Sequence, residues 1–119
     1  MSHPFYIVDV FAEAKYEGNQ LAVVRHANDL STEQMHDIAL EMGYSETTFI
    51  LNDEPENDGY NVRIFTTTVE LPFAGHPTLG TAYILNNVIL PEPHEQIVLN
   101  LKVGQIPVTF GDDGVLWMR

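Results

Sequence analysis

Pro77-Thr78-Leu79-Gly80-Thr81-Ala82-Tyr83-Ile84-Leu85-Asn86-Asn87-Val88-Ile89-Leu90 contains no charged residue. Its apolar members Leu79, Ala82, Tyr83, Ile84, Leu85 and Val88 lie all round the circumference of a helix, and a helix apolar on every side is a buried one. Such a helix needs cover on every side. The cover is expected from strand-like runs on both sides of it in the chain. Phe5–Phe11, Leu21–Arg25, Thr47–Leu51 and Tyr60–Thr66 precede it; Ile97–Val103, Ile106–Phe110 and Val115–Met118 follow. Phe5–Phe11 is apolar on both faces and reads as a strand covered on both sides. Gly18-Asn19 and Asp112-Asp113-Gly114 read as turns. A sheet wrapped around one central helix is the architecture this order predicts.

A second helix is announced by its caps. Ser31 and Gln34 form a capping box, Met35, Ile38, Ala39 and Met42 recur on one face, and Gly43 stands where a helix stops.

Composition narrows the function. The chain has 119 residues, a size usual for one domain, and 45% of them are hydrophobic, enough for a core. With 17 acidic against 5 basic residues, the net charge of −12 argues against nucleic acid and against an anionic membrane surface as partners. No apolar run approaches a membrane span and Met1-Ser2-His3-Pro4 is unlike a leader, so a cytoplasmic location is expected. The absence of cysteine removes disulfides, thiolate metal sites and thiol nucleophiles together.

Two segments carry candidate chemistry. In Leu71–Ala82, Pro77 suits the first helical position and Gly75 lets a ligand approach the backbone closely. The N–H groups of His76, Thr78 and Leu79 would then face outward at the positive end of a helix, ready for a carboxylate or phosphate, with His76 at the mouth. The same residues also fit a helix start and nothing more. In Tyr44–Phe49, Glu46 sits between a helix end and an apolar strand. Apolar surroundings disfavour the ionised form and raise such a carboxyl toward the range useful for acid–base work. A surface carboxylate at a strand edge is the plainer reading.

Other patterns carry less. Glu33 and His36 have metal-motif spacing but lie off the apolar face of their helix and read as a solvated pair; His3, His26 and His94 are isolated, so no metal site is expected. Ser45 is not in a nucleophile elbow, and Gly75 and Gly80 make neither a dinucleotide nor a phosphate loop. The acidic loop of Asp53, Glu54, Glu56 and Asp58 lacks calcium spacing and reads as a solubilising hairpin.

Ser45-Glu46-Thr47-Thr48-Phe49, Val62-Arg63-Ile64-Phe65-Thr66 and Glu70-Leu71-Pro72-Phe73-Ala74-Gly75-His76-Pro77-Thr78-Leu79-Gly80-Thr81-Ala82 resemble the signature blocks of the phenazine-biosynthesis PhzF-like family. Gly18-Asn19 and Leu21-Ala22-Val23-Val24 resemble its first block, and the match runs collinearly to Leu116-Trp117-Met118. Gln20 and Thr67 stand where the family usually has proline, both in turns. The resemblance implies an α+β fold: a curved, mostly antiparallel sheet around a central apolar helix, one lobe of the diaminopimelate-epimerase-like fold, with the active site in the cleft between two lobes. It implies a cofactor-independent isomerase moving a proton on trans-2,3-dihydro-3-hydroxyanthranilate. Glu46 would be the acid and base, with Ser45, Gly75, His76 and Thr78 binding a small carboxylate-bearing substrate at the helix start. Enzymes of this fold that racemise use paired thiols, which this chain cannot supply; an epimerase- or racemase-like enzyme of unassigned substrate, working without them, is the alternative reading.

Residues 1–119 are expected to be a single domain resembling the N-terminal lobe alone. The chain then reads as a fragment, as a natural half needing a second lobe or a homo-oligomeric (dimer) partner, or as a non-catalytic half that binds a partner lobe or a small acid. Under the first two readings it exposes an apolar face around Gly75.

Overall fold

The computed structural model describes residues 5–11, 18–52, 54–90, 94–110 and 116–118. The strands are β1 (Phe5–Phe11), β2 (Gly18–Val24), β3 (Glu46–Ile50), β4 (Tyr60–Phe65), β5 (Glu70–Leu71), β6 (Gln96–Leu101), β7 (Gly104–Phe110) and β8 (Leu116–Met118). They form one sheet in the order β1-β2-β3-β4-β6-β7-β8, with β5 also paired to β4. β2–β3 and β4–β6 are parallel and the remaining pairs antiparallel. Helix α2 (Gly75–Ile84) touches β1, β2, β3, β6 and β8, strands from both ends of that order, so the sheet curves around it. This is the mixed α+β architecture expected.

The curvature gives the sheet two different faces, and side-chain alternation sorts the residues between them. On the concave side, Leu21, Val23, Ile50, Val62, Ile64, Ile97, Leu99 and Val108 pack with Ala82, Ile84 and Leu85 of the central helix. On the convex side, Val24, Phe49 and Phe65 pack with Met35 and Ala39 of α1 (Thr32–Met42). The start of α1 is as expected: the Gln34 N–H donates to Ser31 Oγ at 3.1 Å and the Ser31 N–H to Gln34 Oε1 at 2.8 Å. Its end is also as expected, with Gly43 at φ 73°, a left-handed conformation that a β-carbon would strain.

Four expectations change. The central helix is not covered all round: Tyr83 is 45% and Val88 50% exposed. A uniformly apolar sequence says that a helix is buried but offers no polar stripe to show which side is not. Its last residues also relax into a π turn, Leu85–Ile89, where buried Asn86 accepts from the His94 N–H and donates to the His94 carbonyl. The start of β1 is open on one side, with Tyr6 against the core but Phe5 and Ile7 exposed, because α1 packs mainly over β3 and β4. Gly18 and Asn19 begin β2, opposite Phe11 and Val10, rather than making a turn. The Asp112-Asp113-Gly114 turn, the start of the last strand at Val115 and Asp53 of the acidic loop lie outside the described residues. The rest of that loop is tied to the sheet: Asn61 Nδ2 donates to Glu56 Oε2 and Asn100 Nδ2 to the Glu56 carbonyl.

Thr47 faces α1, fully buried, and its hydroxyl has no hydrogen-bond partner among the described residues. An unsatisfied buried hydroxyl destabilises by its lost hydration. Thr47→Val keeps the shape and removes the orphan, so it is expected to stabilise the fold by about 1 kcal/mol, read as a higher urea midpoint at unchanged slope.

Candidate active site

Glu46 opens β3. Thr48 and Ile50, two and four residues on, face the concave core, so Glu46 points to the same side of the sheet as the central helix. It is half-buried, and its carboxyl has no hydrogen-bond or ion-pair partner among the described residues. Ser45, just before it, is exposed.

The connectivity brings the start of α2 to the same end of the sheet. Thr47 pairs with Phe65 and Thr48 with Ile64, so the end of β4 lies beside the start of β3. The chain turns back there: Phe65 pairs with Glu70 and Ile64 with Leu71. Only Pro72, Phe73 and Ala74 separate Leu71 from the helix, a reach of ~10 Å. The helix therefore begins near Glu46 and descends past Thr48, whose hydroxyl lies 2.7 Å from that of Thr81 with both residues fully buried.

The helix begins two residues earlier than Pro77. Ala74 is the N-cap, with no side-chain cap bond, and Gly75, His76 and Pro77 fill the first turn. Proline is tolerated there because no residue of the first turn has an intrahelical acceptor for its N–H. The set of outward donors changes accordingly. The Thr78 N–H already donates to the Ala74 carbonyl at 3.1 Å, and regular helix geometry assigns the Leu79 N–H to Gly75. The N–H groups of Gly75 and His76 are the ones left facing outward. Thr78 is fully buried and its hydroxyl also donates to the Ala74 carbonyl, at 2.6 Å, so it builds the helix start. The His76 side chain lies outside what the structure describes. Glu46 and Gly75 thus lie at one end of the concave face, with Thr78 behind them and exposed Ser45 just before β3.

A charged cluster that sequence reading does not single out holds the approach to this helix. Glu70 accepts from Arg63 Nε at 2.8 Å and Arg63 Nη2 at 2.7 Å, with Lys102 Nζ at 3.0 Å. Arg63 Nη2 also donates to Thr32 Oγ1 at the start of α1. β4, β5 and the turn after β6 therefore meet at one carboxylate, with α1 tied to it through Arg63, while Leu71, on the other face of β5, packs into the concave core. Arg63 and Glu70 both stand inside the recognised blocks, and opposite charges on antiparallel neighbours were the available signal. The Arg63 hydrogen bonds hold the Glu70 carboxyl below its ordinary value, against an opposing push from burial and with help from Lys102. The same bonds raise Arg63. A lowered carboxyl stabilises the fold while it is ionised and loses that contribution as pH falls through its folded value. The stability lead of the wild type over Glu70→Gln is thus expected to be full at neutral pH and to vanish below the ordinary glutamate range, as followed by urea midpoints across pH.

His36, expected in a solvated pair with Glu33, is instead half-buried, its ring edge-on to Phe65 with centroids 4.7 Å apart. No cluster of metal-ligating side chains occurs among the described residues. No helix among them is long and apolar enough to cross a membrane.

The chain is similar to known proteins. A Pseudomonas aeruginosa protein named trans-2,3-dihydro-3-hydroxyanthranilate isomerase is 40% identical over 105 residues, 88% of this chain and 36% of that protein. A protein of the same name from Pseudomonas chlororaphis is 55% identical over 84 residues, 70% of this chain and 30% of its own length. The crystal structure of a PhzF-family phenazine biosynthesis protein from Enterococcus faecalis superposes with a TM-score of 0.81 at 37% identity, covering 94% of this chain and 42% of that one. The chain spans about a third of the length of these curated relatives. The family described as phenazine biosynthesis-like protein (PhzC-PhzF) matches residues 8–115, and the chain belongs to it.

Proposed function

We propose that this chain is a single domain forming one lobe of a cofactor-independent isomerase that shifts a proton within a small carboxylate-bearing ring resembling dihydro-hydroxyanthranilate. The observation that carries the reading is the placement of Glu46 and the uncapped start of α2 on one face and at one end of the sheet. The names of the relatives supply the reaction class.

The division of labour follows from the chemistry. The substrate carboxylate docks on the Gly75 and His76 N–H groups, where the helix dipole favours negative charge. With a net charge of −12 the protein as a whole repels an anion, so attraction has to be local. The Glu46 carboxylate takes a proton from one ring carbon and the C–H electron pair spreads into the ring π system. The same carboxyl then returns the proton to a second carbon. One C–H bond breaks and one forms, so the step is balanced with no electron acceptor. Ser45 borders the carboxyl, Gly75 allows close approach, His76 lies at the anchor, and Thr78 holds the helix start in shape.

A second lobe or partner copy would close the site and exclude water. Exposed Phe73, Val69 and Tyr83, on or leading into α2, give that partner an apolar surface to cover. The test is turnover of trans-2,3-dihydro-3-hydroxyanthranilate by the complete protein, this lobe with its complement, after exhaustive chelation. Conversion is expected; a complete, folded protein that does not convert it overturns the proposal.

A further inference from the structure

The proposed proton shift needs the Glu46 carboxyl and the anion anchor of α2 at a fixed separation, yet they belong to different elements far apart in sequence. Among the described side chains, one hydrogen bond joins β3 to α2: the 2.7 Å contact between Thr48 Oγ1 and Thr81 Oγ1. We infer that this hydroxyl pair is the positioning element of the site, setting the distance between Glu46 and the start of the central helix. The inference rests on the isomerase reading and adds to it residues that touch no substrate.

The geometry makes the pair a suitable gauge. Thr48 is two residues from Glu46 on the same face, ~7 Å along the strand. Thr81 is six residues from Gly75, ~9 Å along the helix. Both spans are regular secondary structure and therefore stiff, so the contact between the two hydroxyls fixes how the two rods lie against each other. Both threonines are fully buried, where water cannot substitute for either partner. The neighbouring contacts are apolar packing by Ile50, Ala82 and Leu85, which resists separation but allows sliding. A directional bond resists both. Reacting groups misplaced by ~1 Å can cost ~100-fold in rate, so modest slippage here is read directly in turnover.

The test compares kcat and KM for trans-2,3-dihydro-3-hydroxyanthranilate in the complete protein and its variants. Two methyl groups need ~4 Å where the two oxygens stand closer, so Thr48→Val with Thr81→Val both removes the bond and spreads the elements. That double variant is expected to lose about 10-fold in kcat with KM changed less than about twofold. Thr48→Ala, which removes the bond without spreading, is expected to move the same way by less. Thr48→Ser, which keeps a hydroxyl, is expected to return most of the rate. Wild-type kcat in the valine pair overturns the inference, as does a rate loss in all three variants that tracks only the fraction of folded protein. Wild-type kcat in Glu46→Gln overturns the isomerase reading and takes this inference with it. An inactive Glu46→Gln beside fully active threonine variants overturns the inference alone.

Discussion

Glu46→Gln in the complete protein is expected to lower kcat by about 10²–10⁴-fold, the range that a positioned general acid–base group contributes. Glutamine has the same length and nearly the same shape, so the half-buried opening of β3 is filled as before and the fold is left intact. What it cannot do is take a proton from carbon and give it back. The proposed substrate anchor is separate: the Gly75 and His76 N–H groups at the start of α2. KM should therefore change little, and the loss should appear in kcat and kcat/KM together, the pattern of an interaction made only in the transition state. Steady-state kinetics separates this from a binding defect, which would raise KM at constant kcat.

Phe65→Ala is expected to cost about 3–5 kcal/mol of stability, measured by urea or thermal unfolding. Phe65 is fully buried between the convex face and α1. Its ring meets Phe49 edge-on at 5.3 Å and His36 at 4.7 Å, and the Arg63 guanidinium lies 5.4 Å from its centroid. Truncation removes one of the two phenylalanines of a small cluster in which Val24, Ala27 and Ala39 are too short to collapse into the gap. It also removes the surface on which Arg63 rests while it clamps Glu70. A cost below ~1 kcal/mol would mean that α1 can settle onto the sheet without it.

What was legible in the sequence was local. The capping box of Ser31 and Gln34 and the glycine stop at Gly43 are signals spanning one helical turn, and both elements appear as read. The central helix was legible from composition, because an uncharged apolar run has nowhere to go but the interior. Its open side was not, since Tyr83 and Val88 look no different in sequence from the buried Ile84 and Leu85. The start of the helix was misplaced by two residues because proline is tolerated throughout the first turn, and the turn chemistry alone does not say which position it takes. That small shift changed which N–H groups face outward. The Thr48–Thr81 bond and the joining of Lys102 to Glu70 were beyond reach for a different reason. They are products of strand order: β2 beside β3 and β6 beside β4 are parallel pairings across long connections, which no periodicity encodes. Glu46 and the Gly75 region could be named as candidates from their residue types, but their common end of the sheet depends on the β3–β4 and β4–β5 pairings.

The central claim is that the Glu46 carboxyl carries a proton between carbons of a substrate anchored at the start of α2. Label transfer tests it most directly, with trans-2,3-dihydro-3-hydroxyanthranilate deuterated at the ring carbon that loses its proton, turned over in H2O by the complete protein and the product examined by NMR. The wild type is predicted to carry deuterium onto the ring carbon that receives the proton, and Glu46→Gln to form no such product on the same time scale. Undiminished deuterium transfer by Glu46→Gln would contradict the account.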